Sequence, residues 1–139
     1  VVEHKYLGGD VEGKDLIIVD DMIASGGSML EVARELKERG ARKIYLVATF
    51  YLFTEGEKSA QLFDKAFQDG TFYKLLTTNV TYVPEYIKNK LWYNEVDLSK
   101  YLAKIIHTIN EGHSIKDIMD GKEKLLEKMK TLGKYPGQN

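Results

Sequence analysis

A chain of 139 residues with 43% hydrophobic content is long enough to bury one real core and short for two. Its formal net charge of −1 leaves no basic footprint for nucleic acid, and no apolar run approaches the length of a membrane span. Zero Cys excludes disulfides, thiolate nucleophiles and cysteine metal sites, and with no secretory or transit segment visible a cytoplasmic enzyme is expected.

Val1-Val-Glu-His-Lys-Tyr-Leu7 reads as a strand entering without its beginning, and Val1 is not an initiating residue, so the expectation is a C-terminal fragment of a longer chain. Gly8-Gly-Asp and Glu12-Gly-Lys14 predict a turn, making the first dozen residues a two-stranded flap. His4 and Lys5 fall there and read as solvated edge residues rather than ligand contacts. Leu16 to Val19 is a run of apolar, largely β-branched residues, the pattern of a central parallel strand covered on both faces.

That strand delivers Asp20 and Asp21 to the carboxyl edge of the sheet, where open α/β folds place ligands. Two adjacent carboxylates can accept hydrogen bonds from vicinal hydroxyls or hold a hard cation such as Mg²⁺. Ala24-Ser25-Gly26-Gly27-Ser28 follows, small enough for backbone N–H groups to turn toward an anion. The next segment, Met29 to Arg39, carries Met29, Val32, Ala33 and Leu36 on one helical face, with Gly40 at the C-terminal cap. The loop thus ends at a helix N-terminus, which favours a phosphate dianion. A plainer reading exists for part of it. Ser28-Met-Leu-Glu31 matches a capping box and Gly26-Gly27 could be an ordinary turn, although capping does not call for Asp20 and Asp21. The loop is not a Walker motif, for it lacks the Gly-Lys-Ser/Thr ending.

Lys43 to Thr49 predicts a second strand, and Phe50 to Glu55 a loop whose Phe50, Tyr51 and Phe53 read as packing aromatics rather than ligand stackers. Glu57 to Gln68 predicts a helix with Leu62, Phe63, Ala66 and Phe67 inward, closed near Gly70, and Tyr73 to Thr77 a third strand. This β-α-β-α-β order predicts a right-handed parallel sheet. Beyond it, Val83-Pro84 breaks the pattern, Tyr86 to Lys90 reads as a helical turn, and Leu91-Trp92-Tyr93 as a short last strand with Trp92 core-facing. Asp97 is placed as the N-cap of a helix through Asn110 carrying Leu98, Leu102, Ile105 and Ile109, with His107 exposed. Gly112 stops it, His113-Ser114 begins a short helix with Ile115, Ile118 and Met119, and Gly121 to Thr131 is a Lys/Glu-rich surface helix striped by Leu125, Leu126 and Met129. Tyr135 to Asn139 should fray.

Val19 to Ser28 resembles the phosphoribosyl-diphosphate binding loop of the type I phosphoribosyltransferase fold, most closely the form found in ribose-phosphate pyrophosphokinases. The likeness continues through Leu36 to Lys43, Ile44 to Thr49, the run from Gly56, Leu75 to Asn79 with Val83-Pro84, and Ile109 to Ile115, covering about residues 8 to 120. It implies an α/β, type I phosphoribosyltransferase-like domain over 1–120, a mostly parallel twisted sheet flanked by helices, followed by a helical extension over 121–139.

The resemblance also implies chemistry. Asp20 and Asp21 would hold the ribose hydroxyls directly or through Mg²⁺, and Ala24, Ser25, Gly26, Gly27 and Ser28 would wrap the 5-phosphate of ribose 5-phosphate. Diphosphoryl transfer from ATP to the anomeric hydroxyl would yield phosphoribosyl diphosphate and AMP, in a homo-oligomer whose ATP pocket and mobile basic loop lie upstream or in neighbouring subunits. Consistent with that division, no Lys or Arg lies between Lys14 and Arg34. Ala24 departs from relatives that carry an acidic residue there, which weakens a base-transfer reading more than a kinase one. Two alternatives stay open: a phosphoribosyltransferase acting on a nucleobase, and a catalytically silent regulatory homologue.

Overall fold

The computed structural model describes residues 9–52 and 54–133. The expected entering strand with His4 and Lys5, the aromatic Phe53 and the tail beyond Gly133 lie outside the described residues. The chain divides into two compact units, Val1–Leu98 and Ser99–Asn139.

In the first unit strands and helices alternate: β1 (Leu16–Ile23), α1 (Gly27–Glu38), β2 (Ile44–Tyr51), α2 (Glu57–Gln68), β3 (Lys74–Thr78), α3 (Glu85–Lys88) and β4 (Tyr93–Val96). The four strands form one sheet in the order β1-β2-β3-β4, every neighbouring pair parallel, with Leu16 opposite Ile44, Leu46 opposite Leu75 and Leu75 opposite Tyr93. This is the α/β architecture expected of alternating strand and helix patterns. The turn before β1 forms as expected: Lys14 N–H donates to Val11 O at 3.1 Å, and Gly13 N–H reaches Gly40 O at 2.8 Å.

The core joins Met29, Leu30, Ala33 and Leu36 of α1 to Ala60, Phe63 and Ala66 of α2 and to alternate strand residues Ile44, Leu46 and Leu75. Leu30, Phe63, Ile44, Leu46 and Leu75 are wholly buried, each worth about 1.5–3 kcal/mol of hydrophobic stabilisation. Gly40 closes α1 as expected: its N–H donates to Lys37 O at 2.9 Å and Ala41 N–H to Leu36 O at 3.1 Å, the paired bonds of a Schellman cap. Gly70 and Thr71 repeat that arrangement at the end of α2.

Three expectations are corrected. First, within the described residues β1 stands at one end of the sheet rather than inside it, and Ile17 and Val19 are 67% and 73% exposed. Second, β1 and β2 run further than expected, to Ile23 and Tyr51, because the register carries on pairing Met22 with Phe50 and Ile23 with Tyr51. Phe50 and Tyr51 are therefore strand residues, and Tyr51 is buried edge-to-face on Phe63 at 5.4 Å between centroids. Third, the last strand begins at Tyr93, not Leu91. Trp92 is core-buried as read, but Leu91 is 79% exposed.

The second unit is helical: α4 (Ser99–Asn110), α5 (Lys116–Met119) and α6 (Lys122–Thr131). Gly112 closes α4 with its N–H on Ile109 O at 3.0 Å, and Ser114 Oγ accepts the Lys116 N–H at the start of α5. Asp97 stands two residues ahead of α4, its carboxylate taking a hydrogen bond from Asn79 Nδ2 at 2.7 Å. His107 is exposed, as read.

Candidate functional site

The connection from β1 to α1 encloses a hollow of about 170 Å³ lined by Asp20, Met22, Ile23, Ala24, Ser25, Gly26, Gly27, Ser28 and Met29. Six of the seven residues singled out in the sequence thus come together, and the seventh, Asp21, is not part of the lining. Asp20 continues the alternation of core-packed Leu16 and Ile18, and Asp21 that of exposed Ile17 and Val19, but the pattern breaks at the strand end, where exposed Met22 and buried Ile23 both line the hollow. Asp21 stays tied to its neighbour, its N–H donating to Asp20 Oδ1 at 2.8 Å.

Gly26 ends the loop in the left-handed region, φ 94° and ψ −7°, and is the N-cap of α1. Here glycine is required, since a side chain in that conformation costs roughly 1–2 kcal/mol. The first intrahelical bond runs from Leu30 N–H to Gly26 O at 3.1 Å, so the amides of Gly27, Ser28 and Met29 have no acceptor within their own helix. A helix of 12 residues then adds the positive end of its dipole behind them. The capping-box reading of Ser28 and Glu31 is overturned. Ser28 sits inside the first turn, Gly26 holds the cap position, and no side chain makes a cap hydrogen bond.

The rim is held by main chain. Leu52 N–H donates to Ile23 O at 2.9 Å and Thr54 N–H to Ala24 O at 3.3 Å, so the β2–α2 connection straps the acidic loop to its neighbouring strand. Ala24 contributes only main chain and a methyl group, which rules out acid–base chemistry by its side chain. The lining has one carboxylate and no basic side chain, so an anion in it would be met by amides, the Ser25 and Ser28 hydroxyls and a helix dipole. Burial, then the nearby Tyr86 and Tyr93, push the hydroxyl of Tyr51, the register partner of Ile23, far above the ordinary tyrosine range. Met22, Ile23 and Met29 went unmarked as lining because apolar residues in a strand or on a helical face read as core.

A match to the phosphoribosyl synthetase-associated domain spans residues 5–120. This chain belongs to that family. Among relatives, it is 35% identical over 115 residues to a ribose-phosphate pyrophosphokinase of Pasteurella multocida, covering 83% of this chain and 35% of the relative. It is 33% identical over 120 residues to that of Haemophilus ducreyi, covering 86% and 36%. The chain therefore spans about a third of the length of the relatives it matches. The phosphoribosylpyrophosphate synthetase of Mycobacterium smegmatis shares its fold, with a TM-score of 0.61 and 24% identity over 76% of this chain and 33% of that one. The family assignment agrees with the resemblance read from Val19 to Ser28, and the shared fold with the parallel sheet that carries that loop.

Proposed function

We propose that this chain supplies the ribose 5-phosphate half-site of a ribose-phosphate pyrophosphokinase. The observation that carries the reading is the hollow where β1 passes into α1, residues 20–29, with a carboxylate on one side and a helix N-terminus on the other, in a member of the phosphoribosyl synthetase-associated family. The 5-phosphate would lie on the amides of Gly27, Ser28 and Met29, with the Ser25 and Ser28 hydroxyls as further donors. Asp20 would accept hydrogen bonds from the ribose hydroxyls, fixing the anomeric hydroxyl toward the open side of the hollow. Asp21, beside it in the chain and outside the lining, would act on a shared cation rather than on the phosphate.

The donor set suits Mg²⁺. No group of three or more His, Asp or Glu able to cage a metal occurs among the described residues, and Mg²⁺ is commonly held by one or two carboxylates together with substrate oxygens and water. Asp20 and Asp21 would hold it, and the ion would supply neutralisation of phosphate charge. ATP, with the cations that its diphosphate demands, would come from the rest of the protein or from neighbouring subunits of a homo-oligomer working in the cytoplasm.

The test is a titration of the 139-residue chain with ribose 5-phosphate, with and without Mg²⁺, followed by backbone amide shifts. Saturable shifts confined to Asp20–Met29 are expected. Well-dispersed amides that stay unmoved would overturn the half-site reading and favour the silent homologue.

A further inference from the structure

We infer that Phe63, on α2 and outside the hollow, is the positioning residue that sets the shape of the phosphate loop. The inference rests on the half-site reading and adds to it a residue that touches no ligand. A β-carbon built on Gly26 would overlap Cε2 of Phe63 and stand 2.6 Å from its Cζ. The edge of the phenyl ring therefore occupies the space that any other residue at 26 would need, and the α-carbon of the loop's turning point rests directly on it.

The ring cannot give way. It is wholly buried, stacked on Trp92 at 5.4 Å and packed edge-on against Tyr51 at 5.4 Å and Phe72 at 5.8 Å. Trp92 is itself fixed, its indole N–H donating to Asp64 Oδ1 at 2.8 Å. A side chain held on three sides by other rings behaves as part of a close-packed solid, in which displacement of one member is felt by the rest. The contact joins the aromatic core to Gly26, whose left-handed conformation aims the following three amides. Loss of the ring edge leaves the core apolar but removes the stop against which the loop is folded.

The experiment has two arms. In the wild-type chain labelled at phenylalanine, ribose 5-phosphate at saturation should move the Phe63 ring resonances, which are assigned by their loss in Phe63→Leu. In a double-mutant cycle read by ribose 5-phosphate affinity, Gly26→Ala should weaken binding at least a hundredfold in the wild-type background. In the Phe63→Ala background, where the overlap is relieved, it should cost only about tenfold, the left-handed strain alone. Ring resonances unmoved while the amides of Gly26 to Met29 shift, or strictly multiplicative losses in the cycle, would overturn the role of Phe63 and leave the half-site reading intact. A folded wild-type chain that binds no ribose 5-phosphate would overturn the half-site reading itself. Should Phe63→Ala fail to fold, the ring resonances of the wild-type chain decide alone.

Discussion

Replacing Asp64 should loosen the aromatic platform beneath the loop, and the size of the effect follows from what Asp64 holds. Its Oδ1 accepts the Trp92 indole N–H at 2.8 Å and its Oδ2 the Lys90 ammonium at 2.6 Å. Trp92 is only 1% exposed, so Asp64→Ala strands a buried donor, a loss of about 1–3 kcal/mol. The ion pair with half-buried Lys90 adds at most about 1 kcal/mol. The expected total is roughly 1–4 kcal/mol for Asp64→Ala and about 1 kcal/mol or less for Asp64→Asn, which keeps an oxygen for the indole. Urea unfolding followed by the fluorescence of Trp92, the one tryptophan in the chain, measures both. The pH dependence gives a second handle. Burial pushes the Asp64 carboxyl up, but hydrogen bonds from Lys90 and Trp92 outweigh it and hold the group below its ordinary value of 3.8. A carboxylate with a lowered folded-state value stabilises above its unfolded value and loses that stabilisation as pH falls through the folded one. The wild-type chain should therefore lose this contribution below about pH 4, and Asp64→Asn should lose less over the same range. Equal midpoints for the alanine and asparagine variants, or acid slopes that match the wild type, would refute the network.

Other outcomes are equally specific. Asp20→Asn with Asp21→Asn should abolish ribose 5-phosphate binding while amide dispersion persists, and of the single changes Asp20→Asn should carry the larger loss, since Asp20 alone of the pair lines the hollow. Chelation of Mg²⁺ should weaken ribose 5-phosphate binding without shifting the urea midpoint, read by amide titration with and without EDTA. Thr77→Val and Tyr93→Phe each break a buried 2.8 Å hydroxyl pair and should each cost about 1–2 kcal/mol, whereas the double change should cost less than their sum, because neither hydroxyl is then left unpaired.

Legibility in the sequence followed the range of the interaction. α2 was read at its true bounds, Glu57–Gln68, because its periodicity and terminal glycine are local signals. The glycine-bearing junction at 24–28, which leads from strand to helix, was legible for the same reason. In β1, what failed depended on neighbours distant in the chain. Whether Ile17 and Val19 are covered is decided by what lies across the sheet, and the length of β1 by its pairing with β2, neither of which leaves a periodic trace in residues 16–23. The capping box failed locally, since two rules competed for the same residues. A left-handed glycine at 26 starts the helix two residues before Ser28 could cap it, and sequence pattern does not rank the two.

The same distinction explains why Phe63 escaped notice as anything beyond core. On α2 it repeats at helical spacing with Ala60 and Ala66, the signature of a buried face, and that reading is correct. Its second consequence exists only because Gly26, 37 positions earlier in the chain, lacks a β-carbon at the point where the ring edge arrives. The glycine and the phenylalanine are thus one structural unit written in two places. The turn into α1 needs Gly26 for its backbone conformation and equally for the room it leaves to the ring. A loop with no basic side chain would depend on where its amides and hydroxyls point, so the packing that aims them belongs to the proposed site as much as the residues that line it.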